Sequence, residues 1–193
     1  PTKPDVWAQA SADAIAFASA LMAAPQSWWD ERREAGETRS AIALFVVLPL
    51  LGILLGWPLR RLVLTNFGRD AEEMSPSYAR RIIGAVADGT ANAVVPVIII
   101  SLVVLVLYLQ GLLTGLFAAM VYVLSVALGG YLVLFGMSRA ALSPHHVAWR
   151  IVPVDPARVV VLLGAIRLAA LVMAVGAALL SLMLLTHTNT AEL

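Results

Sequence analysis

The longest pattern in the chain is an apolar stretch. Residues 89–138 carry no charged side chain and no histidine, a run of fifty residues. A membrane-spanning helix needs only about 20 apolar residues at a rise of about 1.5 Å each, so the run is about twice too long for one crossing. Gln110 and Gly111 interrupt it with a polar residue and a helix breaker. The pattern therefore predicts a transmembrane hairpin that turns at Gln110 and Gly111.

A second uncharged stretch precedes this hairpin. Residues 40–59 carry no charge and are followed directly by Arg60 and Arg61. The stretch contains Pro49 and Pro58, which spanning helices tolerate because local adjustments and neighbouring helices satisfy the freed backbone groups. We expect a first span here, with bends at these prolines and at Pro96 in the second span.

The fourth span follows a helix-start signal, Asp155 and Pro156. Arg167 interrupts its apolar face, and residues 168–186 are uncharged beyond it. We expect Arg167 to lie at the level of the lipid headgroups, with its side chain extended toward water. The alternative is a buried intramembrane arginine with a function of its own.

The N-terminal segment is rich in alanine and has helical spacing over residues 4–24, where Pro25 is expected to end it. Its uncharged part is short for a span, so we predict an interfacial or juxtamembrane helix, with a span as the alternative. Trp28 and Trp29 stand beside charged residues, as tryptophans at a membrane–water interface do. The alternative is that the two rings pack within a small folded unit.

These elements predict an all-α, polytopic membrane protein. Four transmembrane helices form two tandem hairpins and follow an N-terminal juxtamembrane helix. The expected divisions are residues 1–39, the juxtamembrane helix; 40–110, the first hairpin; and 111–193, the second hairpin with an outer tail. Ser75 and Pro76 predict the cap and first residue of a short amphipathic helix between spans one and two.

Composition supports a membrane protein. Hydrophobic residues make up 61% of the chain, the mean hydropathy is +0.88, and charged residues are 13%, about half the usual share of a soluble domain. A net charge of +1 without a basic stripe excludes nucleic acid as an expected partner. The absence of cysteine excludes disulfides, thiolate metal sites and cysteine nucleophiles.

Basic residues are distributed unevenly between the connections. The two connections after spans one and three hold eight arginines, the segment before span one holds four basic residues, and the Gln110–Gly111 tip holds none. The positive-inside rule then predicts that both charged connections are cytoplasmic and both chain ends face outward. Membrane lipids are the expected partners, and the predicted headgroup anchors are Arg60, Arg61, Arg80, Arg81, Arg139, Arg150, Arg158, Arg167, Trp28 and Trp29. A role in topology alone is the plainer interpretation of the arginines.

Small residues recur at a spacing of four, which allows close helix approach in membranes. Gly52 and Gly56 form one such pair in span one, and Ser125 and Gly129 form another in span three. The alternative is that glycine is simply frequent in spanning helices. The residues predicted to bend or pack helices are Pro49, Gly52, Gly56, Pro58, Pro96, Gly111 and Gly129.

No catalytic, cofactor-binding or metal-binding site is predicted. His145 and His146 are adjacent and cannot easily both face one ion, and no further ligand has useful spacing. The chain lacks a glycine-rich phosphate loop and a serine–histidine–acid set, and the predicted spans lack acidic residues. We therefore expect no enzyme, and a proton-coupled transporter ranks last.

Several motifs resemble the larger bacterial members of the MscS-like (small-conductance) mechanosensitive channel family. They are Trp7 in an alanine-rich helix, Trp28-Trp29, a leucine-rich span closed by Arg60-Arg61, Phe67-Gly68-Arg69, the run from Pro76 to Arg81, and Ser143-Pro144 through Trp149-Arg150 to Pro153 and Asp155. The resemblance covers approximately residues 4–180.

The resemblance implies a tension-gated ion channel of the bacterial inner membrane, assembled as a homo-oligomer, a heptamer in that family. The chain departs from the family because it has no recognisable glycine- and alanine-rich pore helix and no following β-rich cytoplasmic domain. We therefore expect a lipid-facing, tension-sensing membrane module whose pore and cytoplasmic domains are missing here. The alternative is a four-span scaffold or assembly subunit without conduction or catalysis.

Overall fold

The computed structural model of the chain describes residues 4–70, 73, 75–143, 146–152 and 154–190. Throughout these residues the regular structure is helical, without β-strands. The elements are α1 (Pro4–Glu34), α2 (Thr38–Phe67), α3 (Tyr78–Leu109), α4 (Gly115–Leu142), a 3₁₀ turn (Val147–Trp149) and α5 (Pro156–Thr190). The expected all-α class is confirmed.

Four of the helices are long and apolar enough to cross a bilayer. Their candidate spans are Ile42–Phe67, Tyr78–Leu109, Gly115–Leu142 and Arg158–Leu185. Each has 26 residues or more, which exceeds the ~20 that a ~30 Å hydrocarbon core requires. The predicted four spans are confirmed, and they indicate a multi-pass membrane protein. Within the described residues, α1 is not among these helices.

Two helix ends differ from the sequence-based prediction. The first helix continues through Pro25 and ends at Glu34, followed by Gly36 with a φ of +74°. A proline removes one backbone N–H but leaves the remaining turns paired, so the helix is not obliged to end there. Likewise α2 continues beyond Pro58 to Phe67, so that Arg60 and Arg61 lie within the helix and not after it.

The short amphipathic helix and the second span are one continuous helix, α3. Its N-cap is Ser77 and not Ser75, because the Ser77 hydroxyl accepts a bond from the Arg80 N–H at 3.3 Å. This bond satisfies one of the unpaired amides of the first turn. The helix also runs without a break through Pro96.

The turn between α3 and α4 lies at the position that the sequence predicts. Gln110 and Gly111 follow the last residue of α3, and the Leu112 N–H donates to the Leu107 carbonyl at 2.9 Å. Gly111 has a φ of +65° and Gly115 a φ of +54°, a region that residues with a Cβ adopt at a cost. The glycine pair therefore makes the turn and is not a helix-packing motif.

The four long helices pack as an open row. Extensive contacts in the described structure join α2 with α3, α3 with α4 and α4 with α5, while α1 touches α2 and α4. Because α3 packs against both neighbours, the two predicted hairpins form one layer. Only 0–17% of each apolar span window is buried. The row therefore leaves wide apolar surfaces for lipid or for other chains.

Glycines set the close approach between neighbouring helices. A Cβ at Gly52 would lie 2.5 Å from Ile99 Cγ1, and one at Gly56 would lie 3.0 Å from Val95 Cα. The pair in α2 thus packs against α3, as predicted. In contrast, a Cβ at Gly129 would meet nothing within 4 Å, so the packing role predicted for Gly129 is wrong within this chain.

Candidate functional site

An arginine from the α2–α3 connection joins three elements at one end of the row. Arg69 Nε lies 3.0 Å from Asp88 Oδ2 in α3, close enough for an ion pair although not aligned as a hydrogen bond. Its Nη1 donates to Ser143 Oγ at 2.5 Å, and its Nη2 donates to the Ala140 carbonyl near the end of α4. We call Arg69, Asp88, Ala140 and Ser143 the Arg69 cluster.

The ion pair of this cluster is largely removed from water. The Arg69 side chain is 10% exposed and the Asp88 side chain 25%. Burial lowers the pKa of the Arg69 guanidinium, and the nearby charge of Asp88 opposes that shift. An arginine nevertheless remains cationic in proteins, so the cluster retains a positive charge that requires the carboxylate.

Ser143 holds the next connection against the same cluster. It is 1% exposed and follows α4 with a φ of +38°, the left-handed conformation of a helix end. While its hydroxyl accepts from Arg69, it donates to the His146 carbonyl at 2.9 Å. One hydroxyl therefore links the α2–α3 connection to the α4–α5 connection.

Arg150 lies inside the fold. It is only 5% exposed, and its guanidinium donates to the carbonyls of Val154 at 2.8 Å and Ser143 at 3.4 Å. Its own carbonyl accepts from Arg81 Nη1 at 3.5 Å. These contacts correct the expectation that Arg150 is a headgroup anchor, because its donors are used to hold the loop backbone. Arg81 also donates to the Pro76 carbonyl, so its charge too is partly used within the chain.

Trp149 packs against α3 beside the Arg69 cluster. It is 3% exposed, and a Cβ at Gly84 would approach its ring to 2.9 Å. The Arg80 guanidinium lies 5.9 Å from the centre of the same ring and donates to the Gly68 carbonyl at 3.3 Å. The small residue at position 84 thus makes room for a large ring, and the two connections form one folded unit.

The remaining predicted anchors are more accessible. Arg61, Arg139, Arg158 and Arg167 are exposed, whereas Arg60 is half-buried beside the ring of Trp57 at 5.6 Å. The exposed arginines occur on α2, α4 and α5. Their positions remain compatible with headgroup contact, which stays a prediction.

Trp28 and Trp29 lie at the opposite end of the row of helices, and their side chains have different environments. Trp28 is 5% exposed, donates from Nε1 to the Leu112 carbonyl at 2.8 Å and stacks on Phe117 with 4.6 Å between ring centres. Its ring also meets Phe45 edge to face. Trp28 therefore fastens α1 to the α3–α4 turn, which corrects its expected role as an interfacial anchor. Trp29 remains half-buried and joins the same apolar cluster from outside.

A groove separates α3 from α4 in the half of the row near that turn. It has a volume of about 460 Å³ and is lined by Val97, Ile100, Ser101, Val104, Leu105, Tyr108, Tyr122, Ser125, Val126 and Gly129. Near the Arg69 cluster, in contrast, a Cβ at Gly89 would lie 3.1 Å from Met137 Cα. The two helices are thus in close contact at the charged end, and a groove lies between them in the half that leads to the turn.

Sequence reasoning identified only part of this site. It assigned Asp88 to a polar connection, whereas Asp88 lies in α3 as the one acid within the four described spans. The signal was its position directly before the apolar run, since the chain is uncharged from residue 89 onward. Pro144, His145 and Pro153 of the predicted inner loop lie outside the described residues. Among the described residues, no three His, Cys, Asp or Glu side chains group as metal ligands.

Comparison with known proteins found no matching family model, no matching curated protein and no matching solved structure.

Proposed function

We propose that this chain is the lipid-facing, tension-sensing membrane module of a mechanosensitive ion channel of the MscS-like kind, with the pore supplied by another part of the channel. The observation that carries the proposal is the unequal packing along the row. The charged end is held by the Arg69 cluster, whereas the opposite half of α3 and α4 encloses an open groove.

Such a row suits a response to bilayer thickness. Long apolar helices adapt to a thinner bilayer by tilting, at a cost of fractions of a kcal/mol per Å of mismatch. At the end away from the Arg69 cluster, α3 and α4 are still joined by the turn at Gln110 and Gly111, and tilting there is accommodated by the groove between them. Membrane tension then favours the state in which the helices are tilted farther apart. Tension biases an existing equilibrium toward the state with the larger area in the membrane plane.

The module requires partners that match this role. The low burial of the span windows, 0–17%, leaves surfaces for lipid and for neighbouring subunits. By its resemblance, the assembly is a homo-oligomer, a heptamer, in the bacterial inner membrane. By the positive-inside rule, the eight arginines of the two connections support an orientation with the Arg69 cluster on the cytoplasmic side and both chain ends outside.

The orientation is tested with single cysteines in the natural cysteine-free background. We expect Gln110→Cys and Ala79→Cys to react with an impermeant maleimide from opposite sides of the membrane, Gln110→Cys from outside. Both positions are exposed, and α3 separates them by about 45 Å at a rise of about 1.5 Å per residue. Labelling of both cysteines from one side, or of Gln110→Cys from the cytoplasm, would contradict the orientation.

The tension response is tested by spin-label distances in bilayers of different thickness. We expect the distance between labels at Val46→Cys in α2 and Leu180→Cys in α5 to increase as the acyl chains of the reconstituted bilayer are shortened from 18 to 14 carbons. Both positions are exposed and belong to the end of the row that lacks the Arg69 cluster. Pulsed electron paramagnetic resonance measures the distance directly.

A matched pair at the other end is the control. Labels at Leu62→Cys and Val160→Cys are also exposed but lie near the Arg69 cluster, so their distance should change less. If neither distance changes with bilayer thickness, the result would favour the four-span scaffold and contradict the sensor proposal.

A further inference from the structure

Arg167 places a charge within an apolar helix, without an acidic partner among the described residues. It lies nine residues into the candidate span Arg158–Leu185, about 13 Å from Arg158 along the helix at about 1.5 Å per residue, and it is exposed. Its guanidinium lies 5.8 Å from the centre of the Phe135 ring in α4. No described carboxylate pairs with it, because Asp88, the one acid of the described spans, lies against Arg69.

The facing surface of α4 adds a second guanidinium. Tyr131, Phe135 and Arg139 follow one another at a spacing of four residues and therefore share a helix face. The rings of Tyr131 and Phe135 are parallel within 2°, with 6.1 Å between their centres. Arg139 is exposed in the last turn of α4, and it too lacks a described acidic partner. The seam between α4 and α5 thus presents two cations beside stacked rings.

The same seam contains an apolar cavity farther along α5. A volume of about 240 Å³ lies between α4 and α5, lined in part by Tyr122, Val126, Ala178 and Ser181. Ala178 is eleven residues beyond Arg167, about three helical turns, so both residues lie on the same face of α5. On α4, Tyr122 and Val126 lie nine residues before Tyr131 and Phe135, half a turn around the helix, so the cavity opens on the other side of the seam from the two arginines.

We propose that Arg167 and Arg139 bind the phosphate of one phospholipid at the α4–α5 seam. A guanidinium within hydrocarbon is costly unless it is paired, and its planar donors match phosphate oxygens. The Phe135 ring covers the other face of the Arg167 cation. This site requires only that the helices cross a bilayer, so it holds or fails independently of tension sensing.

The test is native mass spectrometry of the full chain in detergent micelles titrated with defined lipids. We expect one tightly retained phosphatidylglycerol per chain, and Arg167→Gln and Arg139→Gln should each weaken its binding about tenfold, because each removes charge-assisted bonds to the phosphate. Arg33→Gln removes an exposed arginine of α1, remote from the seam, and should leave binding unchanged. Circular dichroism verifies that each variant is folded, and Arg139 is exposed at a helix end where loss of its side chain is tolerated.

The source of the phosphate is resolved by three further ligands. Phosphatidylcholine shares the phosphodiester and should bind, diacylglycerol lacks it and should bind at least about tenfold more weakly, and inorganic phosphate at millimolar concentration should not displace the lipid. Equal retention by wild type and both seam variants, or equal binding of diacylglycerol, overturns the site. Displacement by inorganic phosphate overturns the lipid as the ligand.

Discussion

Replacing Asp88 by asparagine should lower the free energy of unfolding by about 2 kcal/mol. Asparagine keeps the shape of the side chain but removes the countercharge of Arg69, whose side chain is only 10% exposed. Loss of one partner of a fully buried pair costs about 3–5 kcal/mol, and the 25% exposure of the Asp88 side chain reduces that cost. The Arg69 donors to Ser143 and Ala140 would remain, so the fold should weaken and not collapse.

The measurement is equilibrium unfolding in mixed detergent–SDS micelles, followed by far-ultraviolet circular dichroism. Glu73→Gln is the matched control, because it neutralises a carboxylate whose contact with Arg80 is 3.8 Å long and exposed, and it should cost less than about 1 kcal/mol. A double-mutant cycle with Arg69→Gln should give a coupling energy of about 1–3 kcal/mol between the two residues. Additive effects of the two substitutions would show that the ion pair does not hold the connections together.

The Arg69 cluster also links stability to the proposed function. If it holds the charged ends of the helices, Asp88→Asn should release them, and the distance between labels at Leu62→Cys and Val160→Cys should then depend on bilayer thickness. An unchanged distance in that variant would show that the close contact of α3 with α4, at Gly89 and Met137, is sufficient to hold this end.

Replacing Gly52 by alanine should destabilise the packing of α2 against α3 by about 1–2 kcal/mol. The added Cβ would lie 2.5 Å from Ile99 Cγ1 and 3.0 Å from Ile99 Cα, so the backbone of α3 must move. Such overpacking costs about 1–3 kcal/mol, of which the better helix propensity of alanine offsets up to about 1 kcal/mol. Gly52→Leu, which adds more atoms to the same contact, should cost more.

Gly129→Ala is the matched control for this prediction, since it makes the same change within another spanning helix. A Cβ there meets nothing within 4 Å, so the variant should be neutral or more stable by up to about 1 kcal/mol. The same unfolding measurement compares the two. Equal stability of the Gly52→Ala and Gly129→Ala variants would show that the contact between α2 and α3 yields without cost.

The sequence alone determined the class of the protein and the places where its chain reverses. The uncharged run of residues 89–138, the turn at Gln110 and Gly111 and the start of α5 at Asp155 and Pro156 follow from periodicity, helix length and turn chemistry. These are local properties, and a hydrocarbon core demands long continuous helices whatever their neighbours are. The helix end at Pro25, the end of the first span at residue 59 and the helix start at Ser75 were predicted wrongly, because a proline, a charge or a cap signal permits an end without requiring one.

Only the tertiary structure decided which polar residues face one another. Arg60 and Arg69 are both arginines near the end of α2, and Trp28 and Trp29 are neighbours in α1. Nothing in their local sequence distinguishes the half-buried ion pair of Arg69 with Asp88, or the bond of Trp28 to the Leu112 carbonyl. These contacts join residues 19 and 84 positions apart, and the contact of Arg69 with Ser143 spans 74 positions. Composition and periodicity assign each residue to water or lipid, whereas a specific pair depends on how separate helices pack.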